Sequence, residues 1–225
     1  MKNIKNIWIL LLSLANAAQA LAQGYVNFAN SVSSRVSNGG VLQTAAPRGS
    51  YYYALLVAPS TQNTIDTTIH TTAFAGWTFV AYGTNTGTAG RMTGNNADGG
   101  AAVQINAGAF TAAGGTADFA LVGWSGNIGN DWNAVRAGYQ SGLNWQIVDP
   151  TKPGGTANVW FGVSAVANDI VLQPFGSSYN SVFGAAAIPG LNLIVPFPEP
   201  SNFTLFGVAV TAMLVFRRQS SKSQE

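Results

Sequence analysis

Residues 51–58, YYYALLVA, are predicted to form a β-strand, and the fold class follows from this segment. Successive side chains of a strand point to opposite faces, so alternate residues share a face. One face would carry Tyr51, Tyr53, Leu55 and Val57, and the other Tyr52, Ala54, Leu56 and Ala58. The same period of two predicts two further rows: Ala73, Ala75, Trp77, Phe79 and Ala81, and Val159, Phe161, Val163 and Ala165.

Shorter strand candidates and turn signals alternate along the rest of the chain. The candidates are residues 24–29, 101–106, 117–123, 143–148 and 191–195. Clusters of Gly, Asn and Pro separate them at residues 37–40, 85–87, 95–100, 114–115 and 153–155. Many short strands with frequent turns predict an all-β, β-sandwich-like single domain rather than a parallel α/β fold.

One short helix is expected. Asn130 or Asp131 can cap its N-terminus, because a side-chain oxygen there accepts a hydrogen bond from a free backbone N–H. Trp132, Val135, Arg136 and Tyr139 follow at spacings of three and four, and Gly142 is a natural end. We expect this helix to pack over an open end or face of the sheet.

The composition indicates a packed, nearly neutral body without disulfides. Hydrophobic residues make up 47% of the 225 residues and charged residues 8%, and there is no cysteine. Residues 23–195 hold five basic and six acidic side chains, a net charge of −1, while the other basic residues lie near the chain ends. Such a body lacks the basic footprint of a nucleic-acid-binding protein. The absence of cysteine also excludes thiolate nucleophiles, cysteine-based zinc sites and iron–sulfur clusters.

Residues 1–22 are predicted to be a secretory signal peptide. Lys2 and Lys5 form a positive start, and residues 7–14 form a short apolar segment. Ala20 and Ala22 then satisfy the small-x-small pattern that signal peptidase requires, and we expect cleavage after Ala22.

The C-terminal region combines a proline-rich segment, an apolar run and a pair of arginines. Pro198, Glu199 and Pro200 lie in a spacer that disfavours helix, and Ser201 follows them. The uncharged run at residues 203–216, FTLFGVAVTAMLVF, would span about 21 Å as a helix, less than the ~30 Å hydrocarbon core. Arg217 and Arg218 come directly after it and place the C-terminus on the cytoplasmic side.

This order of elements resembles the PEP-CTERM sorting signal of Gram-negative bacteria. The residues that carry the resemblance are Pro198, Glu199, Pro200, Ser201, Arg217 and Arg218, with the apolar run between them. The resemblance implies recognition by an exosortase-type membrane enzyme, cleavage near Pro-Glu-Pro and delivery to the cell surface or extracellular matrix. It covers about residues 196–218 and does not extend to the body.

Catalytic and metal sites find little support in the sequence. His70 is the only histidine, and Ser125 in Gly123-Trp124-Ser125-Gly126-Asn127 departs from the nucleophile-elbow pattern, because Asn127 replaces its last glycine. The body has six aspartates and no glutamate, so a glycosidase pair would have to form between distant carboxylates. Residues 95–99, NNADG, offer a single carboxylate to calcium, which a plain turn also explains. No catalytic residue, metal or cofactor is predicted.

Aromatic side chains are the one hint of a ligand, because aromatic rings stack on sugars and amides bond to sugar hydroxyls. Trp124, Trp145 and Trp160 are the candidates for glycan stacking. The competing interpretation is that these tryptophans fill the core and edges of the sheet.

Together these features predict an exported surface or extracellular-matrix protein that is structural or adhesive and non-enzymatic. A carbohydrate-binding module is the alternative, and a polysaccharide-active enzyme the second alternative. Expected partners are signal peptidase with the secretion machinery, an exosortase-type enzyme, the inner membrane as a transient anchor, and polysaccharide; nucleic acid is not expected. The predicted organisation is a signal peptide (1–22), a β-rich extracytoplasmic domain (23–195), a proline-rich spacer (196–202), a short transmembrane sorting helix with its arginines (203–218) and a polar tail (219–225).

Overall fold

The structure, a computed structural model, describes most of the predicted extracytoplasmic domain. The described residues are 23–94, 101–142, 147–148, 156–157 and 159–194. All of them belong to one compact unit, Met1–Val195. The predicted signal peptide and the predicted spacer, sorting helix and polar tail lie outside the described residues.

The described residues form an all-β fold with one short α-helix, as the alternation and the turn signals predicted. The strands are β1 (Gly24–Asn27), β2 (Val36–Asn38), β3 (Val41–Leu42), β4 (Tyr51–Pro59), β5 (Thr78–Asn85), β6 (Met92–Gly94), β7 (Ala102–Ile105), β8 (Thr116–Ser125), β9 (Ile147–Val148), β10 (Thr156–Ala157), β11 (Phe161–Val163), β12 (Ala167–Val171) and β13 (Leu191–Leu193). The helix is α1 (Trp132–Gln140), and short 3-10 turns occur at His70–Thr72, Ala109–Thr111 and Gly126–Ile128.

A six-stranded antiparallel sheet lies at the centre of the fold. Its order is β11-β8-β4-β5-β6, and β12 pairs with β8 along the same edge as β11. β8 is long enough to hold both neighbours, with β11 beside Val122–Trp124 and β12 beside Thr116–Phe119. β4 and β8 pair in continuous register from Tyr51 opposite Ser125 to Pro59 opposite Ala117.

The two central strands are buried on both faces. Tyr53, Leu55 and Val57 of β4 enter one hydrophobic cluster, and Ala54 and Leu56 enter a second on the opposite side. The apolar run at residues 51–58 explains this burial, because the side chains on both faces of the strand are apolar or aromatic. The central sheet is therefore covered on both sides.

Smaller sheets cover the first face. β1 pairs with β7, while β13 pairs in parallel with β2, which pairs with β3. Inward side chains of these strands, including Val26, Val103, Ile105, Leu191 and Leu193, join the cluster of Tyr53, Leu55 and Val57.

Helix α1 covers part of the second face. Asp131 caps it by accepting hydrogen bonds from the backbone N–H groups of Asn133 and Ala134, and Gly142 follows it with φ +67°. Trp132 and Val135 pack into the cluster that holds Leu56. The predicted cap, apolar stripe and stop are confirmed.

β13 crosses close to the central sheet at a pair of glycines. Gly162 of β11 lies opposite Gly123 of β8. A Cβ on Gly162 would lie 2.4 Å from the carbonyl oxygen of Asn192, and one on Gly123 would lie 2.6 Å from a methyl group of Leu191. Glycine at both positions lets the smaller sheet reach the backbone of the larger one.

The prediction that residues 73–81 form one strand with a shared face is wrong in two ways. The first half is not in the strand, and the remaining residues do not share a face. The chain turns at Phe74 (φ 66°) and Gly76 (φ 80°), so the strand begins only at Thr78. A bulge in the β4–β5 pairing then places Phe79 in the cluster on the helix side and Ala81 in the cluster on the opposite side. The bulge inserts one extra residue into β5, which breaks the alternation.

Candidate functional site

The three tryptophans predicted to stack on glycans have different fates. Trp124 is fully buried, and its indole Nε1 donates to the carbonyl oxygen of Gly129 at 2.8 Å. Trp124 is a core residue, so its prediction as a stacking residue is wrong. Its side chain lies on the face of β8 that packs against helix α1. Trp160 is half-buried and packs against the first hydrophobic cluster. Trp145 lies outside the described residues.

The predicted processing residues also lie outside the described residues. They are Ala20, Ala22, Pro198, Glu199, Pro200, Ser201, Arg217 and Arg218. Within the part of the chain that the structure describes, no helix combines the length and apolar character needed to cross a membrane.

His70 and Ser125 have separate partners. His70 lies in a 3-10 turn, with Nδ1 3.2 Å from the carbonyl oxygen of Tyr139 and its ring 4.6 Å from the Tyr139 ring. The Ser125 hydroxyl contacts Asn127 Oδ1 at 2.5 Å and accepts from the backbone N–H of Trp160 at 2.9 Å. Both side chains therefore have structural roles.

Two aspartates meet at the edge of the central sheet. Asp169, at a bulge in β12 with φ 55°, donates its backbone N–H to Asp118 Oδ1 at 2.8 Å. The Asn63 side-chain amide has its nitrogen toward these acceptors, and Asn63 Nδ2 donates to Asp118 Oδ2 at 2.9 Å and to the Ser60 carbonyl oxygen at 3.2 Å. Asp118 is fully buried, and this desolvation raises the pKa of its carboxyl above the ordinary value, with a smaller contribution from the charge of Asp169.

This aspartate pair does not have the form of a glycosidase site. A glycosidase needs two carboxyl groups that face one sugar ring, whereas the Asp118 side chain has no exposed surface. Among the described residues, no three His, Cys, Asp or Glu side chains group as metal ligands. The loop at residues 95–99, weighed for calcium, lies outside the described residues.

An aromatic cluster lies on the surface of the β1 sheet. We call it the outer aromatic cluster, and it consists of Tyr25, Phe175 and Tyr179. The ring of Tyr25 stacks on that of Tyr179 at a centroid distance of 5.5 Å and lies tilted against Phe175, also at 5.5 Å. Phe175 is 67% exposed, while Tyr25 and Tyr179 are half-buried.

A row of glutamines adjoins this cluster. Tyr25 lies opposite Gln104 of β7 on one side and bridges to Gln173 on the other. The backbones of Tyr25 and Gln173 exchange two hydrogen bonds of 2.8 and 3.0 Å, so residues 172–174 extend the β1 sheet. Gln104 donates through Nε2 to Gln23 Oε1. We call Gln23, Gln104 and Gln173 the amide row.

The loop that carries Phe175 is held in one conformation by hydrogen bonds. Ser177 donates its backbone N–H to the carbonyl oxygen of Pro174 at 3.3 Å, and Gly176 donates its N–H to the Tyr179 hydroxyl at 3.1 Å. Asn180 Nδ2 donates to the carbonyl oxygen of Val171 at 2.8 Å. The exposed ring is thus presented by a braced turn.

Sequence reasoning missed this cluster. Strand alternation places Tyr25 and Val26 on opposite faces of β1, but it does not show which face is exposed. The approach of residues 173–180 to β1 is a tertiary contact, and that segment has no strand periodicity. Comparison with protein-family models, curated protein sequences and solved structures finds no match to this chain.

Proposed function

We propose that this chain is an exported, non-enzymatic protein of the cell surface or extracellular matrix with a structural or adhesive role. The observation that carries the proposal is the order of the tail elements: Pro198-Glu199-Pro200, an uncharged run at residues 203–216, and Arg217-Arg218. The signal-peptide pattern at residues 1–22 supports the same direction of export. A cysteine-free, doubly covered sheet suits a domain that needs no disulfide to fold.

Under this proposal, signal peptidase cleaves after Ala22, and the apolar run holds the protein in the inner membrane during sorting. The run is shorter than the hydrocarbon core, so the two arginines extend to the interface to accommodate it. An exosortase-type enzyme then acts near Pro-Glu-Pro and releases or transfers the body to the surface.

The finer fold assignment belongs to the same proposal. We assign the body to the β-sandwich-like class, because the central sheet and the smaller sheets contribute inward side chains to one cluster. Helix α1 adds a partial third layer, which a simple two-layer sandwich lacks.

Deleting residues 196–225 tests the role of the tail. We expect the shortened protein to leave the membrane fraction and to accumulate in soluble form in the periplasm or medium. The matched control deletes only residues 219–225, which keeps the proline segment, the apolar run and the arginines, and should fractionate as the parent does. Unchanged membrane fractionation of the longer deletion would reject the sorting role.

A carbohydrate-binding module is the second candidate function. The observation that favours it is the outer aromatic cluster beside the amide row, rather than the buried Trp124. A polysaccharide-active enzyme, the remaining alternative, would require substrate to reach Asp118 through the residues that bury it.

A further inference from the structure

We propose that the outer aromatic cluster and the amide row form a binding site for a neutral polysaccharide. The site deepens the carbohydrate-binding candidate named above and rests on it. The rings of Tyr25, Phe175 and Tyr179 supply apolar faces for the C–H faces of sugar rings. The side chains of Gln23, Gln104 and Gln173 supply hydrogen-bond donors and acceptors for hydroxyl groups.

The exposure of Phe175 is the first step of the argument. Burying a phenylalanine side chain stabilises a fold, yet this ring is 67% exposed at a turn. Exposed apolar residues such as Val41 occur elsewhere on the surface and need no explanation when they are isolated. Phe175 is different because it contacts a second aromatic ring, Tyr25, which itself stacks on a third.

The rigidity of the loop is the second step. Binding is weakened when a side chain or loop must become ordered on binding. Here the Pro174–Ser177 turn, the Tyr179 hydroxyl and the Asn180 amide already hold the backbone around Phe175. A ligand that stacks on this ring therefore meets a prepared surface.

The polar neighbours select the ligand class. Gln104 and Gln173 flank Tyr25 on the two adjoining strands, and Gln23 bonds to Gln104. These side chains are uncharged and carry both donors and acceptors, which matches hydroxyl groups rather than phosphate, sulfate or carboxylate. Anion recognition instead uses arginine or lysine, and the amide row contains neither.

The size of the site favours a sugar chain over a protein. Stable protein interfaces bury about 1,200–2,000 Å² and have an apolar centre. Three rings bordered by glutamines provide a narrow apolar strip with amides at its edge. A polysaccharide strand uses such a strip through repeated weak contacts along its length.

The test measures retention of the purified full-length exported protein, in mild detergent, on insoluble and immobilised polysaccharides. The neutral set is β-glucan, chitin, mannan and galactan, and alginate is the anionic comparison. We expect binding to at least one neutral polymer, with affinity lowered about tenfold by Phe175→Ala and also by Gln104→Ala. Phe175→Trp should retain binding, because it keeps the aromatic face.

The matched control is Val41→Ala, which removes an equally exposed apolar side chain from β3 and should leave binding unchanged. Circular dichroism establishes that each variant is folded. Three outcomes would each overturn the proposal. They are no binding to any of the four neutral polymers, binding to alginate alone, and equal binding by Phe175→Ala and the parent. The outcome is independent of sorting, because the tail deletion is read by fractionation and this assay by retention of purified protein.

Discussion

Two clusters of aromatic rings in this protein differ in how far their rings are exposed to solvent. The inner aromatic cluster consists of Phe74, Trp124, Trp132 and Tyr139; helix α1 contributes Trp132 and Tyr139, and β8 contributes Trp124. Its rings meet edge to face or tilted, with Phe74 and Trp132 5.2 Å apart and Trp124 and Trp132 6.0 Å apart. The outer cluster has similar ring distances, but Phe175 projects into solvent. Ring contacts alone therefore do not separate a core from a binding surface.

What separates the clusters is the exposure of their rings, because the polar atoms of both have hydrogen-bond partners. In the inner cluster, Trp124 Nε1 donates to Gly129, and the Tyr139 hydroxyl donates to the Thr67 carbonyl oxygen at 3.0 Å. Those bonds allow the rings to be buried without an unpaired donor. In the outer cluster, the Tyr179 hydroxyl braces the loop and leaves the Phe175 face uncovered. The inner cluster is thus part of the core, whereas the outer one leaves the Phe175 ring exposed to solvent.

The largest effect on the free energy of unfolding is expected from a substitution in the inner aromatic cluster. Trp124→Ala should lower the free energy of unfolding by about 3–5 kcal/mol, because it leaves a cavity between β8 and α1. Urea denaturation followed by circular dichroism measures the change. Trp124→Phe, which keeps part of the ring volume, should lose less. A loss below about 1 kcal/mol for the alanine variant would show that the inner cluster does not stabilise the fold as described.

An intermediate effect is expected on the pH dependence of the free energy of unfolding, through the buried carboxyl group of Asp118. The folded pKa of Asp118 is raised, so the folded state holds its proton to higher pH than the unfolded state. The free energy of unfolding should therefore fall as the pH rises from the ordinary value of 3.8 through the raised pKa, and then stay level with respect to this group. Asp118→Asn should abolish that fall, which urea denaturation between about pH 3.5 and 7.5 would detect.

The matched control for this pH effect is Asp66→Asn. Hydrogen bonds from Thr68 lower the pKa of the exposed Asp66 carboxyl, so its contribution to stability is lost as the pH falls. Its removal should change the profile in the opposite sense. If the free energy of unfolding depended on pH in the same way in the parent and in Asp118→Asn, the fall with rising pH could not be assigned to Asp118.

The smallest expected effect on stability is at the outer cluster. Phe175→Ala should change the free energy of unfolding by no more than about 0.5 kcal/mol, because the ring is mostly exposed in the folded state. Thermal and urea denaturation of the parent and variant measure this difference. A loss above about 1 kcal/mol would place Phe175 among the residues that hold the fold and would remove the contrast between the clusters.

Particular residues show where prediction from the sequence succeeded. The alternation at residues 51–58 predicted β4 and both of its faces, and Asp131 with Gly142 predicted the ends of α1. Both signals are local, because strand pleat and helix capping involve neighbours in the chain. The signal peptide and sorting tail are also local patterns and stay predictions.

Other residues show why the rest required the structure. The local sequence does not show that Trp124 is buried between β8 and α1, or that His70 lies in a 3-10 turn shortly before the chain turns at Phe74. The bulge in β5 follows from its pairing with β4, not from its own residues.

The local sequence is enough to predict the central strands, the capped helix, a nearly neutral cysteine-free body and the two terminal segments proposed to direct export. Three features depend on the tertiary fold: which aromatic rings are buried, where β13 crosses Gly123 and Gly162, and how Phe175 comes to lie beside Tyr25. The physical reason is one of range. Pleat, capping and hydropathy act between neighbours along the chain, whereas burial depends on segments that fold onto one another from distant positions.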